Sequence, residues 1–334
     1  MKPRRVQIKG VGHYLPKKEV TAEEIDHLIG EKTGWTRRKT GVTVRHFAEG
    51  ETNSQMGAWA AEEALRDAGL SLSDIDCIVC ASGTMEQAIP CTASLIYREL
   101  DSTHQGIPAF DINATCISFV AAFDHLSYLI DCGRYRHILL ISSEIASVGL
   151  NWKQKESCAL FGDGAVAVVI GPTPENEPSQ ILSSRMETYT QGAHLSEIRG
   201  GGTRLHPRKY EGPLNLDDYL FDMDGEAIFR LSARVLPAFL ERLYPKMPAI
   251  TLNDIKLVIP HQASMMAMRL MQRRLGIKSS QMFIYSENTG NMISASIPLG
   301  IYEAKKQQRI ERGDLVMLLG TAAGLTLGGM IFVY

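Results

Sequence analysis

No run of 18 consecutive apolar residues occurs in this sequence, and its opening, Met-Lys-Pro-Arg-Arg-Val-Gln-Ile, lacks the apolar core of a secretory signal. A cytoplasmic protein with no membrane partner is therefore expected. There is no surplus of one charge either. Against 37 Asp and Glu stand 35 Lys and Arg, and a formal net charge of −2 gives no whole-chain reason to expect nucleic acid. Cysteine is scarce: six in 334 residues, mostly inside apolar runs, do not make a disulfide framework. Cys77 and Cys80 form a C-x-x-C, but they sit in a strand-like run, where residues three apart face opposite sides. No second Cys or His pair accompanies them at zinc spacing, so no metal is expected. The Gly-rich stretches 200–204 and 161–164 have neither a P-loop lysine nor Rossmann spacing and read as turns.

What is present is an α/β grammar. A chain of 334 residues is too long for one small core, and strand-like runs alternate with helical ones. Strands are expected at 6–11, 75–81, 109–113, 137–142 and 165–170. Helices are expected at 21–29, with Thr21 as N-cap and Glu24 closing a capping box, at 54–67 before Gly69, and at 92–100. Residues 35–41, Trp-Thr-Arg-Arg-Lys-Thr-Gly, read as a basic turn, whose Arg37, Arg38 and Lys39 suit either solvent or a nucleotide phosphate. A Pro/Glu/Asn-rich break at 171–178 divides the chain into halves, 1–171 and 172–334. The second half repeats the first. Residues 253–264 parallel 73–84, 312–320 parallel 135–142, and 324–333 parallel 162–170, an internal duplication that places equivalent loops on one side of the molecule.

Three of those loops carry chemistry. Asp111 to His125 reads as a strand turning sharply into an apolar helix with Cys116 at the turn, where a helix N-terminus favours thiolate. His261, in Pro-His-Gln-Ala-Ser, lies just beyond a buried strand, and Asn291 precedes a small-residue helix start. Singly these suit a core cysteine, a core histidine and a turn asparagine; together Cys, His and Asn form a working nucleophile set. Met265, Met266, Met268 and Met271, at helical spacing, read as packing or an adaptable rim.

Six stretches in order, from Gly10-Val-Gly-His-Tyr-Leu-Pro16 through 35–41, 111–116, Phe161-Gly-Asp-Gly-Ala165, Pro260-His-Gln-Ala263 and Gly290-Asn291, resemble the thiolase superfamily. The resemblance is closest to the β-ketoacyl-[acyl carrier protein] synthase III family. It implies a five-layer αβαβα sandwich of two duplicated halves, working as a homodimer on acyl-coenzyme A or acyl carrier protein thioesters, with no cofactor. It implies Cys116, His261 and Asn291 as the catalytic triad, with the backbone N–H groups of Cys116 and Ala323 as oxyanion donors. Trp35, Lys39, Lys155 and Ser264 fall at substrate-facing positions. So do Ile89, Phe161, Glu226 and Phe229. The implied reaction is decarboxylative condensation of a Cys116-bound acyl group with a malonyl thioester, in fatty acid or related secondary-metabolite synthesis. Departures from the family pattern fall at the entrance, with Met266 where a basic residue is common, Ser264 and Glu226 for Asn, and Lys39 for Arg. The alternative is non-decarboxylative condensation, or ester or amide formation, from the same acyl-enzyme. Ile89, where a carboxylate base would stand in that variant, argues against it, and Glu86 three residues earlier keeps it open.

Overall fold

The strands are written as near-continuous apolar runs because both faces of each sheet are covered. A computed structural model describes residues 2–101, 103, 106–246 and 249–334. The first half opens with β1 (Val6–Tyr14) and a ribbon of β2 (Lys18–Thr21) and β3 (Val44–Phe47) that brackets α1 (Ala22–Leu28) and α2 (Trp35–Thr40). There follow α3 (Asn53–Ala68), β4 (Cys77–Cys80), α4 (Thr92–Leu100), β5 (Ala109–Asp111), α5 (Ser118–Asp131), β6 (Ile138–Glu144), α6 (Lys155–Cys158) and β7 (Gly164–Pro172). The second half comprises β8 (Gln180–Thr188), β9 (Ser196–Glu197), β10 (Asp222–Met223), α7 (Gly225–Leu243), β11 (Leu257–Pro260), α8 (Met265–Arg274), α9 (Ser296–Lys306), β12 (Leu315–Ala322) and β13 (Thr326–Val333).

One sheet runs β1-β7-β6-β4-β5 and the other β8-β13-β12-β11. In both, a parallel pair (β4 and β6; β11 and β12) is followed by an antiparallel hairpin partner (β7; β13) and an antiparallel edge (β1; β8). The repeat extends to local chemistry. Ser71 with Asp74, and Thr251 with Asp254, close identical capping boxes on the short 3-10 turns that lead into β4 and β11. Three of the apolar cores hold five layers together: one packs α3 and α4 on the first sheet, one packs α5 and α9 between the two sheets, and one packs α7 on the second. Cys77 lies in the middle core and Cys80 in the outer one, so the C-x-x-C points two ways.

The Thr21/Glu24 capping box forms, Gly69 ends α3 at φ 65°, and α4 spans the expected residues. Two of the expected elements take a different form. Residues 35–40 are helical, entered and left through Gly34 and Gly41 at φ 86° and 81°, with Asp26 accepting the N–H groups of Gly34 and Thr36 at 2.6 and 2.7 Å. The helix expected from Cys116 becomes α-helical only at Ser118, after a 3-10 turn over Thr115–Ile117. No helix among the described residues is long and apolar enough to cross a membrane.

Candidate active site

Each half delivers one sharp elbow that leads into a middle-layer helix, after β5 in the first half and after a 3-10 turn at Ser286–Asn288 in the second. In the first, Asn113 Oδ1 accepts the Thr115 N–H at 2.8 Å and Ser118 Oγ accepts the Ala114 N–H at 2.9 Å, which holds Thr115 at φ 51° and turns Cys116 outward from the helix start. In the second, Asn291 Oδ1 accepts the Ile293 N–H at 2.9 Å and Ser296 Oγ accepts the Met292 N–H at 3.0 Å, with Ile293 at φ 46°. A positive φ at a β-branched residue is a costly conformation, about 1–3 kcal/mol, that persists only where the surroundings enforce it. Because the Asn291 amide oxygen is turned to the backbone, its Nδ2 end is the one left to donate.

His261 enters from the third side. Its N–H donates to Leu319 O at 2.8 Å, continuing the β11–β12 pairing one residue past the strand. Gly320 is the meeting point: a Cβ there would lie 2.8 Å from Ile117 Cγ2 and 3.2 Å from His261 Cβ. Glycine is likewise required where residues 160–162 bridge to 289–291. A Cβ on Gly162 would stand 2.2 Å from Thr289 O, and one on Gly290, itself at φ 68°, 2.7 Å from Leu160 O. The Phe161-Gly-Asp-Gly164 motif is thus a close backbone crossing that anchors Asn291, more than a plain turn. Asp163 secures it by accepting the N–H groups of Ala48 and Ser147 at 2.8 and 2.9 Å.

Burial governs the electrostatics. The His261 imidazole is pushed down to about 4 by loss of solvent, so the ring is neutral near pH 7, and among the described residues its Nδ1 has no hydrogen-bond partner. Cys116 stays partly open to solvent while lying deep in the protein, and its thiol is pushed up to about 12, first by burial and then by the charge of Glu144. The N–H groups of Ala323 and of Cys116 itself act the other way, both directed at the sulfur. Burial therefore opposes the thiolate that a helix start would favour. The helix proper begins two residues too late, and desolvation outweighs what the N–H groups return.

The entrance residues are separated from that floor. Trp35 opens α2 and packs against the core that includes Ile25, Leu160 and Phe161. Lys39 pairs with Glu156 at 3.4 Å in an exposed ion pair, Lys155 with Glu31 at 2.6 Å in a part-buried one, and Ser264 Oγ donates to Lys39 O at 3.3 Å, so both basic groups already have a carboxylate partner. Arg37 lies 3.7 Å from Glu287. Phe161 is buried edge-on to Phe221, with centroids 5.3 Å apart. Glu226 is exposed and paired with Arg230 in the first turn of α7, where Phe229 is half-buried. Ile89 is 85% exposed. Glu86 accepts the Ser54 N–H at 2.7 Å, which commits it to the start of α3. Of the four methionines, Met268 is buried and Met266 is exposed, packing and rim in one helix.

Two family models match, described as 3-oxoacyl-[acyl-carrier-protein (ACP)] synthase III over residues 110–190 and as its C-terminal part over 247–334. The sequence is 32% identical to the β-ketoacyl-[acyl-carrier-protein] synthase III of Aquifex aeolicus over 98% of this chain and 99% of that one. The chain belongs to this family. The crystal structure of the Aquifex aeolicus 3-oxoacyl-[acyl-carrier-protein] synthase III matches with a TM-score of 0.87 over the full length of both chains at 31% identity. A priming β-ketosynthase from the R1128 polyketide biosynthetic pathway matches at 0.86 and 27% identity, over 99% of this chain and 97% of that one. The thiolase-like five-layer architecture is that of this synthase III family. Sequence reasoning missed Glu144; the available signal was an acid closing a strand that must be buried on both faces.

Proposed function

We propose that this synthase III family member is an acyltransferase that forms a β-ketoacyl thioester by decarboxylative Claisen condensation. The reading is supported by a thiol flanked by two backbone N–H donors, together with a buried neutral imidazole and an asparagine whose amide oxygen is already occupied. In the first step Cys116 Sγ attacks the carbonyl of an acyl thioester, the tetrahedral oxygen accepts from the Cys116 and Ala323 N–H groups, and the carrier leaves as a thiol with the sulfur's proton. Each such donor is worth roughly 2.7–4 kcal/mol. In the second step a malonyl thioester loses carbon dioxide, and the electron pair moves onto its thioester oxygen. The donors suited to that oxygen are neutral His261 and Asn291 Nδ2; a carboxylate there would repel it. The carbanion then attacks the acyl carbonyl, the β-ketoacyl thioester departs, and Cys116 takes a proton from solvent. No step requires a cofactor.

The halves 1–171 and 172–334 each contribute one elbow in this reading, and the working unit is a cytoplasmic homodimer. Among the described residues β5 ends the first sheet with one edge unpaired, and beside it Phe110, Met85 and Ile89 expose apolar surface that a second copy would cover, bringing Ile89 to the partner's acyl channel. The carrier, coenzyme A or acyl carrier protein, docks at the Trp35, Lys39, Lys155 mouth, with Ser264, Glu226 and Phe229 bordering the arm. Intact-mass spectrometry with a panel of acyl thioesters, followed by a malonyl thioester, tests the scheme. An acyl adduct on Cys116 that is discharged with release of carbon dioxide supports it; discharge without carbon dioxide replaces it with non-decarboxylative acyl transfer.

A further inference from the structure

Glu144, the last residue of β6, is fully buried and takes no part in the steps above. Its place follows from the duplication. Cys80 pairs with Ile141 in the first sheet as Pro260 pairs with Leu319 in the second, so three residues further on Glu144 occupies the position that Ala322 holds in the other half. The elbows match in the same way: Asn113, Thr115 and Ser118 correspond to Asn291, Ile293 and Ser296 by their hydrogen bonds, which sets Ser294 in the place of Cys116. Where the first elbow offers its N–H and side chain to a substrate, the second offers them to Glu144. The Ser294 N–H donates to Glu144 Oε1 at 3.3 Å and Ser294 Oγ donates to the same oxygen. From the first half, the Gly83 N–H donates to Oε1 at 2.6 Å, and the Thr84 N–H and Oγ1 to Oε2 at 2.8 and 2.6 Å. Glu144 accepts from all five of these donors and, among the described residues, has no acceptor placed to take a carboxyl proton, the pattern of an ionised carboxylate held although burial disfavours its charge.

The clamp lies between the two elbows. A Cβ on Gly83 would stand 2.8 Å from Ile293 Cγ2 and 3.5 Å from both Thr115 Cα and Glu144 Oε1. We propose that Glu144 is a positioning residue for the condensation step: its carboxylate fills the place of a second oxyanion site and, by holding residues 83–84 of one half and Ser294 of the other, registers the Asn291 elbow against the Cys116 elbow. The carboxylate also silences Ser294 as a nucleophile, since its hydroxyl proton is committed and a negative charge occupies the position an incoming carbonyl oxygen would need.

The inference rests on Asn291 acting at the enolate, so the test reads partial reactions separately on the full-length protein. Acyl transfer to Cys116 is followed by intact mass, condensation by product and carbon dioxide release, and the thiol by the pH profile of iodoacetamide alkylation. For Glu144→Gln, condensation falls on the order of a hundredfold, the cost of about 1 Å of misplacement, while acyl transfer falls far less. Its alkylation profile moves to lower pH because a buried negative charge beside the thiol has gone. Glu144→Asp keeps the wild-type profile, and Ser294→Ala lowers condensation by several-fold without moving it. Condensation at the wild-type rate in Glu144→Gln overturns the proposal. So does a parallel loss of both partial reactions with an unmoved alkylation profile, which marks a purely structural residue. If Glu144→Gln does not fold, Ser294→Ala and Glu144→Asp decide on the same readouts. An Asn291→Ala variant that loses acyl transfer as fully as condensation refutes the parent reading, whatever Glu144 does.

Discussion

The floor of the site and its entrance are built on different physics. At the floor, Cys116, His261 and Asn291 sit among buried groups, and loss of solvent moves the thiol and the imidazole in opposite directions, each toward its neutral form. At the entrance, Lys39 pairs with Glu156 in the open and Lys155 with Glu31 at the half-buried rim, and an exposed pair of the first kind is worth about 0–1 kcal/mol. In the proposed reading, Lys39, Glu226, Ser264 and Met266, which the resemblance marks as departures from the family pattern, belong to the entrance. A floor fixed by burial tolerates no exchange of residue type, whereas an entrance of weak pairs can be rewritten without disturbing the chemistry.

Cys116→Ser should abolish the acyl-enzyme altogether while leaving thermal unfolding nearly unchanged, because an alkoxide is far harder to generate here than a thiolate. An adduct on any other cysteine would break the contrast at its root. His261→Ala and Asn291→Ala should lower condensation by about two to three orders of magnitude, the cost of one preorganised donor, and spare much of the acyl transfer. Loss of both partial reactions in step would remove the pair from the enolate oxygen.

A pH series sharpens the comparison further. With the imidazole lowered to about 4, His261 is neutral above that pH, so the acid limb of condensation should fall only as pH drops toward 4 and not at the usual histidine value of 6.5. With the thiol raised to about 12, alkylation of free Cys116 should still be climbing at pH 10. A plateau near pH 8 would mean that the N–H groups outweigh burial after all. In the acyl channel, Ile89→Phe should shift kcat/KM toward short primers by roughly fourfold for each methylene excluded, about 0.8 kcal/mol apiece, with reactivity toward an acetyl thioester unchanged. The smallest effect belongs to the mouth. Glu31→Gln frees Lys155 and should lower KM for a phosphate-bearing carrier by about two- to threefold without altering kcat, an effect that fades with salt.

Much of this was readable in the chain because it is local. The capping box of Thr21 and Glu24, the Gly69 stop and the span of α4 depend on neighbours within a turn. The duplication was readable because a buried strand must repeat its apolar run in both halves. Residues 35–40 were misread since the capping carboxylate, Asp26, comes from another helix. Neither β8 nor α7 was marked: α7 carries an internal Pro237, and β8 mixes serine and charge with its apolar residues. The burial that opposes a Cys116 thiolate was not readable, because a helix start is visible in sequence and the depth of burial is not. Glu144 was invisible for the same reason, its donors lying 60, 61 and 150 residues away.

The shared middle layer also sets a timetable for synthesis. α5 is complete at Asp131, yet its partner between the sheets, α9, ends only at Lys306. At translation speeds of about 5–20 residues per second, the apolar face of the first half waits on the order of ten to thirty seconds for its cover to leave the ribosome. During that interval the nascent chain is half a sandwich, and the sticky side is the one that will later support the nucleophile.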